Sequence, residues 1–463
     1  MDLKTLRDRV EGDVTANTDA AYESLRSDMV WNLLRPARRP ELIVRAANER
    51  DVAEAIGFAS SNRMKLAVRG GGHSWCGFSL RDGGLLIDLS RLNQIVINPA
   101  ARTAAIQPSV SSRDFSQRLS AHNLSFPVGH CPLVPMSGFL LNGGLGFNSN
   151  AWGPACLSIE AAEVITADGN TVTASPERNP DLFWAIRGGG PGFFGVITKY
   201  FLKVYPAPHS IIADTWFLPL ERIAEVGNWA ESAARKIAKE VELSVLLTTA
   251  PPDLAAQCES SNGFVCVVSA IAFVGSQTEA AAALEPVASS PFERQCLKSE
   301  LNQETSFDAL LDLGGQVWPE RHRYLADTLW SNSSLAEILT TLRDHFLKSP
   351  SPKALAACVL HGSAAQAGPF PDAAFSMLGD VLVLCYAIWD RPVNDPANAA
   401  WHKGAISALD QYAAGHYVGE SDIAADPLRA ERSFTPETWR RLESLRQKYD
   451  PDRIFQGHFR AGQ

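Results

Sequence analysis

One segment of the sequence departs sharply from ordinary secondary structure: Val68-Arg69-Gly70-Gly71-Gly72-His73-Ser74-Trp75. The apolar run that precedes it is typical of a strand, and three glycines in succession predict a loop that another group can approach closely. Successive backbone N–H groups in such a loop can form a concave anion site, suited to a pyrophosphate. His73 follows directly, so the loop would place an imidazole beside whatever it binds.

A second glycine-rich segment has the same character. It reads Val128-Gly129-His130-Cys131-Pro132-Leu133-Val134-Pro135-Met136-Ser137-Gly138, and it continues with Asn142-Gly143-Gly144-Leu145-Gly146. Each segment alone is weak, because glycine turns are common and a lone histidine or cysteine usually packs. Neither segment is the Gly-x-Gly-x-x-Gly fingerprint, which disfavours an NAD-linked dehydrogenase.

Together the two segments resemble the berberine-bridge-enzyme-like branch of the vanillyl-alcohol-oxidase flavoproteins, which have a PCMH-type FAD-binding domain. In that family the histidine of an Arg-Gly-Gly-Gly-His-Ser loop is bonded to the 8α-methyl of FAD. The cysteine of a Gly-x-Cys-Pro-x-Val loop is bonded to C6 of the flavin ring. The resemblance implies that His73 and Cys131 are covalent FAD anchors. It implies further cofactor contacts at Arg69, Gly70, Gly71, Gly72, Ser74, Gly77, Val134, Ser137, Gly138, Asn142, Gly143, Gly144, Gly146, Gly195, Val196, Ile197 and Phe455.

Attachment requires Cys131 as a thiolate, and we expect N–H donors of its glycine-rich loop to lower its pKa. Cys76 is a competing thiol, three residues past His73. The family motif favours Cys131, and we expect Cys76 and Cys156 to pack as small buried side chains.

Two other segments match the family. Pro180–Thr198 resembles its Asp-Leu-Phe-Trp-Ala-x-Arg-Gly-Gly-Gly signature, and its composition alone predicts a helix that ends in glycines before a buried strand. Tyr449–Phe455 resembles the closing Tyr-Asp-Pro-x-Asn-x-Phe motif, with Arg453 in place of asparagine. The resemblance therefore extends over essentially the whole chain, and is sharpest at residues 39–205 and after residue 400.

The predicted fold class is α+β, in three parts. Residues 1–206 would form the PCMH-type FAD-binding domain, and residues 207–399 an α+β substrate domain whose antiparallel sheet is covered by helices. Residues 400–463 would return to the FAD-binding domain. Apolar patterns predict strands at 85–89, 104–108, 243–247, 264–268 and 381–386, a hairpin at 161–172, and helices at 49–61, 114–119, 220–239, 277–288, 334–347, 400–415 and 435–448.

The amino-acid composition excludes several classes of binding partner. The 463 residues carry a formal charge of −9 and no basic run, which disfavours nucleic acid and anionic membranes. No segment offers the ~20 apolar residues of a membrane span, and the first residues lack an apolar signal core. The eight cysteines form no Cys-x-x-Cys pair, so we expect no metal site, no disulfide scaffold and a cytoplasmic location. The expected partners are a small-molecule substrate and O2, for a monomer or a homodimer.

The sequence offers several candidates for the catalytic base. In the family it often comes from a Tyr-x-Asn-Tyr-x-Asp motif, and the matching text is Tyr417-Val418-Gly419-Glu420-Ser421-Asp422. Glu420 stands where the catalytic tyrosine is expected, and burial beside the flavin would raise its pKa into a useful range. The alternatives are that Tyr417 or Tyr386 is the base, or that Glu420 is a surface residue. Weaker substrate-side candidates are His322, His361, His416, Asp380 and Asp390.

The resulting hypothesis is an FAD-dependent oxidase that acts on an alcohol or amine carbon of a small natural product or sugar. Val134 supports it, because family members with valine three residues after the cysteine resemble oxidases, although Pro135-Met136 replaces the usual Gly-Val. The alternatives are a dehydrogenase with another electron acceptor and a flavin-binding protein without turnover.

Overall fold

The computed structural model describes residues 2–292, 294–361 and 372–459. Its first sheet carries the triple-glycine loop at the end of a strand and has the order β1-β2-β4-β3, with β1 antiparallel to β2 and the other pairs parallel. The elements of this region are α1 Leu3–Arg9, β1 Asp13–Ala16, α2 Tyr22–Asp28, β2 Leu42–Arg45, α3 Glu49–Ser61, β3 Leu66–Arg69 and β4 Leu85–Asp88.

Helix α3 has the predicted bounds, for two local reasons. The Asn48 side chain accepts a hydrogen bond from the Asp51 N–H, which caps the first turn. Val52, Ala55 and Ile56 recur at helical spacing and are fully buried, so one face of the helix packs on the sheet.

The second sheet is antiparallel throughout, in the order β5-β6-β10-β8-β9. The predicted hairpin is β8 with β9, and the predicted glycine-terminated helix is α7, which is followed by β10. The elements are β5 Ile95–Asn98, β6 Thr103–Ile106, α4 Ser112–Ser120, β7 Leu124–Ser125, α5 Met136–Leu141, α6 Ser149–Trp152, β8 Ile159–Ile165, β9 Thr171–Ala174, α7 Pro180–Ile186, β10 Val196–Lys203 and β11 Tyr205–Pro206.

The third sheet has seven antiparallel strands in the order β15-β12-β14-β13-β17-β18-β16. Its elements are β12 Ser210–Leu218, α8 Ile223–Ala234, β13 Val241–Thr249, β14 Phe264–Val274, α9 Gln277–Ala288, β15 Lys298–Glu304, α10 Phe307–Val317, β16 Arg323–Ser331, α11 Leu335–Phe346, β17 Leu355–Leu360, β18 Val381–Trp389 and α12 Asp395–Leu409. The predicted strands and the helices 277–288 and 334–347 are confirmed. The helix predicted at 220–239 is shorter, because the chain turns after Ala234 to enter β13.

The two faces of this sheet differ. On β13, Leu243, Val245 and Leu247 are fully buried in a core shared with α8 and α11. The alternate residues Glu242 and Ser244 face a cavity. The period of two thus separates a helix-covered apolar face from an open face with polar side chains.

The last described residues return to the first sheet. Helices α13 Leu428–Glu431 and α14 Pro436–Tyr449 lead to a parallel bridge between Phe455 and Leu66 of β3. The Leu66 N–H donates to the Ile454 carbonyl at 2.7 Å, and the Gln456 N–H donates to the Leu66 carbonyl at 2.6 Å. The buried Asp450 carboxylate accepts from the Ile454 N–H at 2.7 Å, which holds the turn before this bridge. None of the helices in the described ranges is long and apolar enough to cross a membrane.

Asn32 joins the triple-glycine loop to the seven-stranded sheet, and its loss should destabilise the protein. Its amide donates to the carbonyls of Trp75 (2.8 Å) and Tyr324 (2.9 Å), and its oxygen accepts from the N–H groups of Leu34 and Tyr324. Because Asn32 is buried, Asn32→Ala leaves these groups unsatisfied and should lower the free energy of unfolding by about 2–3 kcal/mol. Urea unfolding measures the change, with the exposed Asn93→Ala as control; equal stability of the two variants would contradict this role.

Candidate active site

A cavity of about 640 Å³ lies between the glycine-rich loops and the open face of the seven-stranded sheet. All three candidate catalytic residues, Glu420, Tyr417 and Tyr386, line it. Most of the predicted cofactor residues line it as well: Arg69, Gly70, Gly71, Gly72, His73, Ser74, Cys131, Val134, Ser137, Gly138, Asn142, Gly146, Gly195, Ile197 and Phe455.

Four predicted cofactor residues do not reach the cavity surface. A Cβ on Gly77 would meet Pro36, and one on Gly143 would clash with Phe375. Gly144 lies against Ala155 and Phe139, and Val196 is buried in the core of the first sheet. These four residues therefore pack against other parts of the protein and do not line the cavity.

The two glycine-rich loops pack directly on each other. A Cβ on Gly70 would clash with Ser137 Oγ, and one on Gly71 would clash with Pro135. The absence of side chains therefore allows the approach. The buried Arg69 holds the first loop by an ion pair with Asp88 at 2.7 Å, so its charge is already compensated within the protein.

His73 presents an unpartnered ring nitrogen. Its ring stacks on Trp31 with centroids 4.6 Å apart, and its Nε2 is buried without a hydrogen-bond partner among the described residues. Burial, together with the charge of Arg69, lowers the pKa of His73 to about 3, so the imidazole is neutral at physiological pH. A neutral imidazole with a free nitrogen lone pair at a cavity wall is suited to bonding an additional group there.

Cys131 corrects one expectation. Burial raises the pKa of the Cys131 thiol to about 11. Hydrogen bonds from the Leu133 and Val134 amides do lower it, as expected of the loop, but burial has the larger effect. The loop therefore lowers the free energy of forming the thiolate, but the thiol remains the predominant form at neutral pH.

The competing thiols lie elsewhere. Cys76 does not line the cavity, and burial raises its pKa to about 11. Cys156 is fully buried, and its pKa is raised to about 12 for the same reason. Both behave as small packing residues.

Glu420 is held by two donors on a single oxygen. The Trp75 Nε1–H donates to Glu420 Oε2 at 2.9 Å, and the Tyr386 hydroxyl donates to the same atom at 2.7 Å. The other carboxylate oxygen, Oε1, has no partner among the described residues. The carboxylate is thus oriented by one oxygen and leaves the second available to a bound molecule.

The pKa shifts in this group favour Glu420 over the tyrosines as a base. Burial raises the pKa of Glu420, an effect that the hydrogen bonds from Tyr386 and Trp75 and the charge of His130 only partly offset. Burial and the charge of Glu420 raise the pKa of Tyr386 well above its usual value. Tyr417 accepts a hydrogen bond from the Gly144 N–H at 3.2 Å, and burial raises its pKa too.

A buried polar network fixes the backbone on either side of Glu420. Arg429 pairs with Asp327 of β16 at 2.9 Å. Thr328, also on β16, exchanges hydrogen bonds with the backbone of Tyr417 and the hydroxyl of Ser421. This network connects the segment that carries Glu420 to the seven-stranded sheet.

The other candidates separate into three environments. His361 lines the cavity. His416 is buried and contacts Arg429 and the Thr328 carbonyl, which is a structural role. His322 pairs with the exposed Asp390, and neither of these residues nor Asp380 reaches the cavity.

Sequence reasoning missed three polar side chains of the cavity. Trp75 ends the triple-glycine segment, yet nothing local indicates that it contacts Glu420. His130 belongs to the cysteine loop, but nothing in that segment indicates that its Nε2 lies 2.8 Å from Glu242 Oε1. The alternation along β13 places Glu242 on one face of the sheet, but the pattern does not say that this face lines a cavity.

Comparison with known proteins agrees with this geometry. Residues 40–175 match the family model of an FAD binding domain. The chain is 27% identical to the FAD-linked oxidoreductase penO of Penicillium crustosum over 93% of this chain and 92% of that protein. It superposes on 6-hydroxy-D-nicotine oxidase from Arthrobacter nicotinovorans with a TM-score of 0.82 and 23% identity, over 97% and 98% of the two chains. Berberine bridge enzyme from Eschscholzia californica gives a TM-score of 0.83 with 18% identity, over 98% of each chain.

The matched FAD binding domain and the similar FAD-linked oxidoreductases identify the chain as an FAD-linked oxidoreductase. Its fold is that of 6-hydroxy-D-nicotine oxidase and berberine bridge enzyme, and its two glycine-rich loops resemble those of the berberine-bridge-enzyme-like flavoproteins.

Proposed function

We propose that the protein is an oxidase that holds FAD through covalent bonds to both His73 and Cys131. Its substrate is an alcohol or amine of the small natural product or sugar class, and O2 is the electron acceptor. The observation that carries the proposal is that one cavity contains both anchor residues and an oriented carboxylate, Glu420. Residues 1–206 and 400–463 hold the cofactor in this proposal, and residues 207–399 form the roof over the substrate.

The residues present fit FAD. Two glycine-rich loops border the cavity, and the buried Nε2 of His73 has no partner among the described residues. When bound, FAD supplies the acceptor for a hydride from the substrate carbon and delivers the two electrons to O2, which gives H2O2. The protein contributes binding, orientation and the handling of the substrate proton.

Glu420 is the group that takes this proton. Its Oε2 is occupied by Trp75 and Tyr386, so Oε1 is directed to the substrate hydroxyl or amine. The raised pKa of Glu420 makes it a stronger base than an exposed carboxylate, and the proton it gains stays in a buried site. Tyr386 donates to Glu420 and serves as a positioning residue.

Arg453 has no part in this scheme. Its backbone lies in the left-handed region (φ 50°), and its side chain is directed toward Glu443 at 3.6 Å. Asparagine adopts this backbone conformation more readily than most residues. The asparagine of the family motif can therefore be explained by the turn, without a contact to the cofactor.

The oxidase assignment rests on Val134, which lines the cavity three residues after Cys131. One of the solved structures with this fold is 6-hydroxy-D-nicotine oxidase. Another, Phl p 4, is a glucose dehydrogenase as the wild type and a glucose oxidase as an isoleucine-to-valine variant. A difference of one methylene can therefore accompany a change of electron acceptor, because a packed interior leaves few spaces of that size.

Val134→Leu should slow the reaction of the reduced flavin with O2. The added methylene fills space needed by O2, so reoxidation of the reduced flavin should slow by about tenfold or more, while reduction by substrate is little changed. Stopped-flow mixing of anaerobically reduced protein with aerated buffer measures this rate, and Val134→Ala is the matched control that leaves the space open. Slow reoxidation of the parent protein would favour the dehydrogenase.

The experiment that tests the proposed function is an anaerobic screen of alcohols, sugars and cyclic amines for bleaching of the bound flavin. We expect at least one class to reduce the flavin, and peroxide to form when air is admitted. No reduction by any class would favour a flavin-binding protein without turnover.

A further inference from the structure

The cavity contains a second polar cluster, His130, Glu242 and His361, which the proposed reaction does not use. All three side chains line the cavity, and the His130 Nε2 lies 2.8 Å from Glu242 Oε1. The register that pairs Leu243 with Leu360 places Glu242 beside His361, the residue that follows β17. These residues therefore meet at one point of the sheet that roofs the cavity.

The hydrogen bonds around His361 define what its free nitrogen can do. Asn150 Nδ2 donates to the Val241 carbonyl at 3.2 Å, so Asn150 Oδ1 faces His361 Nδ1, at 2.9 Å. An amide oxygen only accepts, so the proton of the imidazole is on Nδ1 and Nε2 carries a lone pair. His361 is 6% exposed, and its Nε2 is buried without a partner among the described residues. A buried acceptor of this kind is expected to have a donor from a bound molecule.

The charge of the cluster indicates a neutral ligand group. Burial opposes protonation of His130, but the Glu242 carboxylate outweighs this effect and raises the pKa of His130. Burial lowers the pKa of His361 to about 4, so that residue is uncharged. With His130 compensating Glu242, the cluster has no surplus negative charge for an ammonium group.

A row of hydroxyl groups extends from this cluster across the sheet. Ser244 lies two residues after Glu242 on the same face, and it pairs with Ser269, which in turn pairs with Thr215. All three line the cavity, and their hydroxyls have no hydrogen-bond partner among the described residues. Directly opposed side chains of neighbouring strands are about 5 Å apart, so the row presents regularly spaced donors and acceptors.

We propose that His361, Glu242 and the hydroxyl row of Ser244, Ser269 and Thr215 form a subsite for a substrate with several hydroxyl groups. His361 Nε2 and the Glu242 carboxylate accept hydrogen bonds from hydroxyl groups of the ligand. The serine and threonine hydroxyls donate and accept the remaining hydrogen bonds. The subsite deepens the proposed function and rests on it, since it determines which substrate is held in the cavity that contains Glu420. It selects polyhydroxylated molecules over apolar alcohols of the same size.

Three six-membered rings of similar size test the subsite in the flavin-loaded protein: myo-inositol, cyclohexanol and cyclohexylammonium. Titration calorimetry measures equilibrium binding, which needs no turnover. We expect myo-inositol to bind at least about tenfold more tightly than either other ring. Equal or weaker binding of myo-inositol than of cyclohexanol overturns the subsite, and tightest binding of cyclohexylammonium overturns the choice of a neutral ligand.

Variants locate the binding. His361→Leu should weaken myo-inositol binding about tenfold, and His361→Gln, which restores an acceptor, should recover most of it. His322→Leu, outside the cavity, is the control. If His361→Leu fails to fold, the double variant Ser244→Ala/Ser269→Ala replaces it and should weaken binding at least about threefold. Unchanged affinity in the folded variants overturns the proposal.

The two proposals fail separately. If myo-inositol binds but no substrate reduces the flavin, the proposed subsite is supported and the proposed oxidase activity is contradicted. If simple alcohols reduce the flavin but myo-inositol does not bind, the proposed oxidase activity is supported and the proposed subsite is contradicted.

Discussion

Glu420→Gln should slow reduction of the bound flavin by about a hundredfold or more, because the substitution removes the base and keeps the shape of the side chain. The glutamine can still accept hydrogen bonds from Trp75 and Tyr386, so the wall of the cavity should remain in place. Anaerobic stopped-flow reduction with the best substrate of the screen measures the rate. Glu163→Gln is the matched control, since it makes the same change in a carboxylate that pairs with Lys199 and does not line the cavity.

The pH dependence separates a base from a structural carboxylate. Glu420 is active when deprotonated, so the reduction rate of the parent should rise with pH through the pKa of Glu420 and level off above it. Because burial raises that pKa, the rise should occur above the ordinary carboxyl range. The rise should be absent in Glu420→Gln. Reduction of that variant at the parent rate would exclude Glu420 and direct attention to Tyr386 and Tyr417.

Removal of both anchors should abolish covalent flavin binding completely. His73→Ala and Cys131→Ala should each keep a yellow precipitate in acid, because one bond remains in each, whereas the double variant should give a colourless one. Mass spectrometry of the flavin-bearing peptides identifies each bond. Cys76→Ala is the control for the second bond, because Cys76 lies outside the cavity.

The absorption spectrum and the mass of the flavin-bearing peptide provide the result that would contradict a bond to Cys131. An unchanged spectrum and an unchanged flavin-bearing peptide in Cys131→Ala would show that the cysteine bond does not exist. Slow attachment at neutral pH that accelerates at higher pH would agree with the raised pKa of the Cys131 thiol.

The sequence predicted those parts of the fold that depend on neighbouring residues. Helix α3 could be predicted because its cap, Asn48, and its apolar spacing lie within one short segment. The strands β14 and β18 are almost entirely apolar, β13 contains the apolar-rich run 243–247, and β8 and β9 are joined by a turn at Gly169. The helix at 220–239 was overestimated, since nothing local shows where the chain must turn into β13.

The candidate site was less predictable, because its contacts join distant segments. Trp75 and Glu420 are 345 positions apart, and no local pattern indicates that they share a hydrogen bond. The pKa of Cys131 depends on burial by the surrounding chain, so the loop alone suggested the wrong direction. The cluster of His130, Glu242 and His361 was missed because strand alternation does not reveal which face lines a cavity.

The pairing of Phe455 with Leu66 has a consequence for the order of folding. Strand β3, which ends at the triple-glycine loop, gains a neighbour that comes from the opposite end of the chain. Contacts between such distant segments form slowly, because a long chain must first be closed into a loop. During synthesis, the chain must be made through Phe455 before this edge of the sheet is complete. Cofactor attachment is therefore expected to follow this pairing, and a covalently flavinylated chain would report that β3 and the segment around Phe455 have met.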